Sequence, residues 1–90
     1  PYLKLSVQNP VQSQVNIFIT KNFDSNADLM IVDMLGNIVI KNRFYLREGL
    51  SNVKQDIDKL PQGNYFVRLT SNNLVATGSF IKTTSTITYK

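Results

Sequence analysis

Short runs with an apolar residue at every second position recur through the sequence, and they constrain the fold more than any other feature. Leu3–Val7, Val15–Ile19 and Tyr65–Leu69 are three of these runs. A period of two is typical of β-strands that bury one face. Helical spacing is poor throughout, even over Leu50–Leu60, the segment that comes nearest to it. The alternation therefore predicts an all-β chain.

Four further runs extend the pattern to about seven strands, a number typical of a sandwich. They are Leu29–Met34, Ile38–Ile40, Val53–Ile57 and Leu74–Ile81. Leu29–Met34 is nearly all apolar, which predicts a strand covered on both faces. Two sheets packed face to face would bury the apolar side of every strand. We therefore predict an antiparallel β-sandwich.

Residues that favour tight turns separate the runs. Asn9 and Pro10 interrupt the first and second strands, since Pro10 has no N–H and restricts the residue before it. Asp33 and Gly36 occupy the first and fourth positions of a predicted type I turn. We expect Asp33 to accept a backbone hydrogen bond there and to have no catalytic role.

Pro61 and Gly63 predict a second type I turn over Leu60–Gly63. Asn72-Asn73 predicts a two-residue hairpin, because asparagine tolerates the positive φ that such a turn needs twice. Residues 42–51 are expected to form the longest connection or an irregular edge. The sandwich is predicted to span residues 1–82, followed by a tail or an eighth, edge strand over residues 83–90.

Composition places the chain among small globular domains. It has 90 residues, of which 42% are hydrophobic and 18% charged, and it contains no cysteine. A single domain without a disulfide framework is expected. No run approaches the roughly 18 apolar residues of a membrane span, and no signal peptide is visible. Because the chain begins with Pro1, we expect it to be part of a longer protein whose targeting segment lies elsewhere.

Charge argues against a nucleic-acid partner. Ten basic and six acidic residues give a formal net charge of +4. The basic residues are scattered, whereas nucleic-acid-binding proteins usually concentrate theirs on one face. A mildly basic solvated surface is the expected result.

Few residues in this sequence are suited to catalysis or metal binding. Without histidine or cysteine, the commonest general base and the usual nucleophilic triads are absent. Asp24–Asp28 resembles the start of a calcium loop, but Leu29 replaces its glycine and Leu35 its final glutamate. An ordinary polar loop is expected.

Asp56 and Asp58 would share one face of a strand, but a small sandwich has little room for a glycosidase cleft. We expect them at a solvated strand edge beside the Leu60 turn. The sequence thus predicts no catalytic residue, no cofactor and no metal site, and hence no enzyme.

Several aromatic residues leave binding functions open. Tyr2, Phe44 and Tyr45 are candidates for stacking on sugar rings in a carbohydrate-binding module. Phe18 and Phe66, together with Val39, fall on nominally outer strand faces. They would either form an apolar patch for a partner or be covered by residues 42–51.

Four segments, in this order, resemble the motifs of the C-terminal sorting domains of the type IX secretion system. NPV…VNI over residues 9–17 resembles the family's opening, NP(V/A)…hxI, where h is hydrophobic. IVDMLGNIV (31–39) resembles its hYDhxGxhV hairpin, and DIDKLPQGNYFV (56–67) is similar to its DhSxLxxGhYhh segment. SFIK (79–82) resembles its terminal KhhK strand.

The resemblance implies an immunoglobulin-like sandwich at the C-terminus of a larger exported protein. Domains of this family are recognised by outer-membrane translocation machinery, and a sortase-like protein often removes them and attaches the cargo to a surface lipopolysaccharide. The parent chain would carry a Sec signal. It would cross the periplasm in transit and end at the outer-membrane surface or outside the cell.

Partner recognition is expected at a sheet edge or the terminal strand, where unpaired backbone groups can accept another chain. Phe80, Ile81 and Lys82 are the predicted recognition residues. Family members usually end within a residue or two of the final lysine, whereas eight residues follow Lys82 here. A structural or adhesive module of a surface protein or filament is therefore an alternative, as is the carbohydrate-binding module.

Overall fold

The chain folds into β-strands only, over the residues that the structure describes. The structure is a computed structural model and describes residues 1–84. The strands are β1 (Leu3–Val7), β2 (Gln14–Lys21), β3 (Ser25–Val32), β4 (Ile38–Leu46), β5 (Gly49–Asp56), β6 (Gly63–Ser71) and β7 (Leu74–Lys82). The predicted all-β fold of seven strands is confirmed. The predicted tail or edge strand over residues 83–90 falls mostly outside the described residues.

The strands form two antiparallel sheets. β1, β2 and β5 make a three-stranded sheet in the order β1-β2-β5, and the other four strands make a second sheet in the order β4-β3-β6-β7. The β2–β3, β4–β5 and β5–β6 connections cross between two packed layers, which is the arrangement of immunoglobulin-like sandwiches. The fold implied by the family resemblance is confirmed.

The core lies between the sheets and follows the alternation of the sequence. One face of each central strand supplies it, and these residues are almost fully buried: Val15, Ile17, Ile19, Ala27, Leu29, Ile31, Val67 and Leu69. Their neighbours in sequence point to the outer faces. Burying each of the valine, leucine and isoleucine side chains contributes about 1.5–3 kcal/mol. The alternation therefore determines which face of each strand points to the core.

Two hairpin turns have the backbone geometry that their residues favour. Gly36 has a φ of +87°, and its N–H donates to the carbonyl oxygen of Asp33 at 3.1 Å. Asn72 and Asn73 have φ values of +54° and +70°. Positive φ at both central residues is characteristic of the two-residue hairpin predicted between β6 and β7.

Residues 42–51 do not form the longest connection, so that alternative was wrong; they lie at an edge, the other alternative, because β4 and β5 are the edge strands of their sheets. They belong to the end of β4 and the start of β5, and only Arg47 and Glu48 separate the two strands. Phe44 and Leu46 pack against the core, while Arg43 and Tyr45, which alternate with them, are exposed. The alternation continues through this segment, although its polar residues obscure it.

Two finer predictions also need correction. The outer residues of β3, Met30 and Val32, remain partly exposed, so this central strand is covered on one face only over the described residues. The hydrogen-bonded turn before β6 lies three residues earlier than predicted, where the Leu60 N–H donates to the Ile57 oxygen at 3.0 Å. Gly63, with a φ of +151°, starts β6 instead. No described residue belongs to a helix that could span a membrane.

Candidate functional site

The end of β7 carries the three predicted recognition residues, and each has a different environment. Phe80 is 1% exposed, and its ring stacks on that of Tyr65 with centroids 5.4 Å apart. Ile81 is 47% exposed on the outer face of the four-stranded sheet, whereas Lys82 is 8% exposed. Among the three, Ile81 alone offers a largely exposed side chain to a partner of the folded domain.

The Lys82 ammonium group is held by backbone carbonyls of the β5–β6 connection. Its Nζ donates to the oxygens of Ile57 at 2.8 Å, Asp58 at 2.9 Å and Leu60 at 2.6 Å. An ammonium group has three N–H donors, so every donor has a partner. These charge-assisted bonds fasten the end of β7 to the turn that precedes β6.

The backbone at the end of β7 is paired on both sides. β6 lies on one side, with Gly63 opposite Lys82. On the other side Ile81 donates its N–H to the Asn9 side-chain oxygen at 2.8 Å and accepts from the Val11 N–H at 3.0 Å. Asn9 and Pro10, joined by a cis peptide bond, therefore lie against the terminal strand. The edge expected to accept another chain is already occupied at this end.

Further along β7, strand β1 packs closely across the sandwich. A Cβ atom added to Gly78 would lie 2.6 Å from Val7 Cγ2 and 3.3 Å from Leu5 Cδ2. The missing side chain at Gly78 thus makes room for β1. This contact closes the β1–β7 side of the domain.

The carbonyl oxygen of Pro61 accepts a hydrogen bond from the side chain of Tyr65. The Tyr65 hydroxyl donates to the Pro61 oxygen at 2.5 Å, four residues back along the chain, which is the arrangement called a tyrosine corner. Burial raises the pKa of Tyr65, and the Asp33 carboxylate adds to this effect. The phenol is therefore kept neutral as a hydrogen-bond donor.

Asp33 organises the β3–β4 turn. Its Oδ1 accepts from the backbone N–H groups of Leu35 and Asn37, both at 2.9 Å, and its Oδ2 accepts from the Asn37 side chain at 3.2 Å. The hydrogen bond from the Asn37 N–H is the main cause that lowers the pKa of Asp33. All of these contacts stabilise the turn.

The other acidic candidates do not converge. Asp24 accepts from the Glu48 N–H at 2.7 Å, and Asp28 lies 3.7 Å from the Arg43 guanidinium on the outer face of the sheet. Asp56 ends β5 and accepts from the Asp58 N–H at 2.9 Å. Within residues 1–84 no three acidic side chains are grouped as metal ligands would be.

The aromatic candidates for sugar binding are separated. Tyr45 is 59% exposed on the outer face of β4, whereas the adjacent Phe44 packs against the core. Tyr2 precedes β1, a strand of the other sheet, with the Lys4 ammonium 5.7 Å from its ring centroid. These three rings form no common stacking surface.

The three outer-face apolar residues also fail to form one patch, and residues 42–51 cover neither phenylalanine. Phe18 lies on the outer face of the three-stranded sheet, opposite Ser6 and Asn52. Phe66 lies on the outer face of the other sheet, opposite Val32 and Ser79. Val39 packs beside the core.

Sequence reasoning missed two features of these surfaces. Lys21 is 1% exposed, and its Nζ donates to the Phe23 oxygen at 2.6 Å and lies 4.4 Å from the Phe23 ring centroid. Burial lowers the pKa of Lys21, and the Asp24 carboxylate partly opposes this. The signal in the sequence was the strand phase of Lys21, which lies on the same face of β2 as the buried Ile17 and Ile19.

The second feature is the alignment of Phe66 with apolar residues of neighbouring strands. Detecting this alignment requires the strand register, which the sequence does not provide.

Comparisons with solved structures support the fold. The dimeric latent PorU of Porphyromonas gingivalis matches with a TM-score of 0.79 and 19% identity over 92% of this chain. The chain spans only 9% of the PorU chain. The CARDB domain of the PF1109 protein of Pyrococcus furiosus, solved in complex with di-metal ions, matches with a TM-score of 0.56 and 12% identity, covering 92% of each chain. Among curated proteins, none matches.

The sequence profile of one domain family covers most of the chain. It is the family described as the secretion system C-terminal sorting domain, and it matches residues 9–83. The match begins at Asn9, which pairs with the terminal strand, and ends at Thr83, directly after Lys82. It therefore includes every contact described at the end of β7. This chain belongs to the family of C-terminal sorting domains of the type IX secretion system.

Proposed function

We propose that the domain directs a larger cargo protein, of which it is the C-terminal part, through the type IX secretion system to the cell surface. The observation that carries the proposal is the family match over residues 9–83. Export towards the cell surface or the extracellular space is what membership of this family implies. The domain itself catalyses no reaction and acts as a recognition label.

The contacts at the end of β7 support recognition of a folded surface. Lys82 and Phe80 are buried, and the backbone of Ile81 is paired with Asn9 and Val11. A partner strand could pair with this part of β7 only after residues 9–11 had left it. Recognition of the folded domain therefore uses exposed side chains, with Ile81 as the available member of the predicted trio.

The direct partners in this proposal are the outer-membrane translocation machinery and a sortase-like protein. The cargo crosses the periplasm before it reaches the outer membrane. The compact sandwich suits this route, because a folded label remains recognisable while the cargo folds.

A fusion experiment tests the proposal. The 90-residue chain is joined to the C-terminus of a reporter with a Sec signal and expressed in a bacterium with this secretion system. The reporter should become accessible to protease added to intact cells. An unfused reporter and a fusion carrying the core substitution Ile17→Asp are the controls, and both should stay in the periplasm. Retention of the intact fusion in the periplasm would contradict the proposal.

One observation favours a second candidate function, a structural or adhesive module. Thr83 continues the pairing of β7, because both its N–H and its hydroxyl donate to the Val11 oxygen, at 2.8 and 3.2 Å. The Thr84 hydroxyl also contacts the Gln62 side chain. Thr83 and Thr84 are thus built onto the sandwich. Concentration-dependent assembly that is lost on deleting residues 83–90 would favour this function over sorting.

A further inference from the structure

The outer face of the four-stranded sheet carries an apolar row with one residue from each strand. Ile38 of β4 is opposite Val32 of β3, and Val32 is opposite Phe66 of β6. Ile81 of β7 is diagonal to Phe66, since its direct partner is Asn64. Phe66, Ile38 and Ile81 are 46%, 54% and 47% exposed. We call these four residues the outer row.

Phe66 stands between two shallow depressions. Its partner on β7 is the small Ser79, so the surface falls away beside the ring. One depression is lined by Val32, Phe66 and Arg68 together with Ser79. The other lies between Phe66 and Ile81, with Met34 of the β3–β4 turn at its side. Apolar walls around a recess are suited to one apolar side chain of a partner.

Two cations border the outer row on one side. The adjacent row of the sheet contains Lys41, Met30 and Arg68, paired in that order across three strands. Both cations are exposed, and neither forms an ion pair within residues 1–84. The one ion pair of that region, between Arg43 and Asp28, lies a further row away. An apolar row beside two unneutralised cations fits a partner that carries an apolar side chain next to a carboxylate.

The other outer face has no row of directly paired apolar residues, although Leu50, 74% exposed, lies diagonal to Phe18. Phe18 is its exposed aromatic residue in the middle of β2, at 37%. Its direct neighbours are the polar Ser6 and Asn52. Phe18 therefore provides an internal control for an exposed phenylalanine whose direct cross-strand partners are polar.

We propose that the outer row, with Lys41 and Arg68, is the docking surface for a protein of the export machinery that presents an apolar side chain beside an acidic residue. The apolar side chain enters the recess next to Phe66, and the carboxylate pairs with Arg68, whose planar guanidinium can bind it through two hydrogen bonds. This proposal rests on the proposed sorting function and assigns the surface that performs it.

The reporter fusion described above tests this surface with matched variants. Phe66→Thr removes the aromatic ring while keeping a β-favouring residue, and Arg68→Glu reverses the charge. Each should lower the surface-exposed fraction of the reporter by about tenfold, as expected for a central contact residue. The controls Phe18→Thr and Lys54→Glu should stay within about twofold of the unsubstituted fusion, as is usual for exposed positions. Thermal unfolding of each purified domain verifies that folding is retained.

The possible outcomes separate this proposal from the sorting function. If the unsubstituted fusion reaches the surface and folded Phe66→Thr and Arg68→Glu reach it equally well, the docking surface is wrong while the sorting function stands. If no fusion reaches the surface, the sorting function fails.

Two further measurements identify other occupants of the same surface. Sedimentation of the 90-residue chain that shows a dimer dissociated by Phe66→Thr would replace the proposal with self-association. Binding to phosphatidylglycerol vesicles that is lost in Arg68→Glu would replace it with an anionic lipid surface. A monomer that does not bind these vesicles is the expected result.

Discussion

Tyr65 and Pro61 are joined by a hydrogen bond of 2.5 Å from the phenol to the proline carbonyl oxygen, and this bond fixes the start of β6. The Tyr65 ring also stacks on Phe80 of β7. The Tyr65 side chain therefore links three parts of the domain: the segment between β5 and β6, the core and the terminal strand. The segment Lys59–Leu69 is built around this contact.

Substitution of Tyr65 by phenylalanine tests the contribution of the hydroxyl. Tyr65→Phe keeps the stacked ring but leaves the Pro61 oxygen without this donor. We expect the free energy of unfolding to fall by about 1–2 kcal/mol, the usual cost of one partly buried hydrogen bond. Chemical denaturation measures the change. Tyr45→Phe is the matched control and should leave stability unaltered, because Tyr45 is exposed at 59%.

Replacement of Lys82 by methionine distinguishes a structural lysine from one that a partner contacts. Lys82→Met keeps much of the buried chain but removes three hydrogen bonds to carbonyl oxygens. The expected loss of stability is about 2–4 kcal/mol, since bonds from a charged donor are among the stronger ones. Lys59→Met, an exposed lysine of the same turn, should have little effect.

Thermal unfolding and reporter delivery together decide the role of Lys82. If Lys82→Met unfolds at the same temperature as the unsubstituted chain but delivery to the surface is lost, then a partner contacts this lysine directly. We expect the opposite order of effects, in which delivery falls only where the domain has lost stability.

The strand phase was predictable from sequence, but the fate of individual polar side chains was not. Lys21 and Lys82 are both in step with core residues, and both extend a charged group to backbone carbonyls at the end of a strand. The charge of a lysine alone suggests that its side chain points to solvent. Here the strand phase determines the direction instead, because a long lysine side chain can bury its methylene groups while its ammonium group reaches a polar partner. Which carbonyls are within reach depends on the neighbouring turn.

The candidate surface was less accessible from sequence than the fold. Phe66 and Ile38 lie 34 and 6 residues from Val32 along the chain, and only the register of β3, β4 and β6 makes them its neighbours. The register shift between Ile31 and Val32 leaves Val39 of β4 as an extra residue, and this also shifts Ile38 to the outer face. Alternation predicts that residues share a face of one strand but does not align one strand with another.

The pH dependence of stability should contain a contribution from Asp33. Hydrogen bonds in the turn lower its pKa from the usual value of 3.8, so the folded state favours the carboxylate. This stabilisation is present above the unfolded pKa and is lost as the pH falls through the folded pKa. Asp33→Asn should therefore be less stable than the unsubstituted chain at neutral pH, and the difference should shrink in acid.

Denaturant titrations from neutral pH down to about pH 2 measure this difference. Glu48→Gln is the control for the loss of one negative charge outside the turn. A difference between Asp33→Asn and the unsubstituted chain that stays constant over the whole range would show that the Asp33 charge does not contribute.

The contact between Gly78 and Val7 predicts that stability depends on their combined size. An alanine Cβ at position 78 would lie 2.6 Å from Val7 Cγ2, which is too close, and the β-branched Val7 has little rotamer freedom. Gly78→Ala should lower the free energy of unfolding by about 1–3 kcal/mol, as overpacking of a core usually does.

The double variant tests whether the two positions are coupled. Val7→Ala alone should also destabilise the domain by removing apolar contacts. The double variant should recover part of the loss, so a double-mutant cycle should give a favourable coupling of at least about 0.5 kcal/mol. Strictly additive effects would mean that positions 7 and 78 are not coupled, and that this side of the sandwich is not closed by their contact.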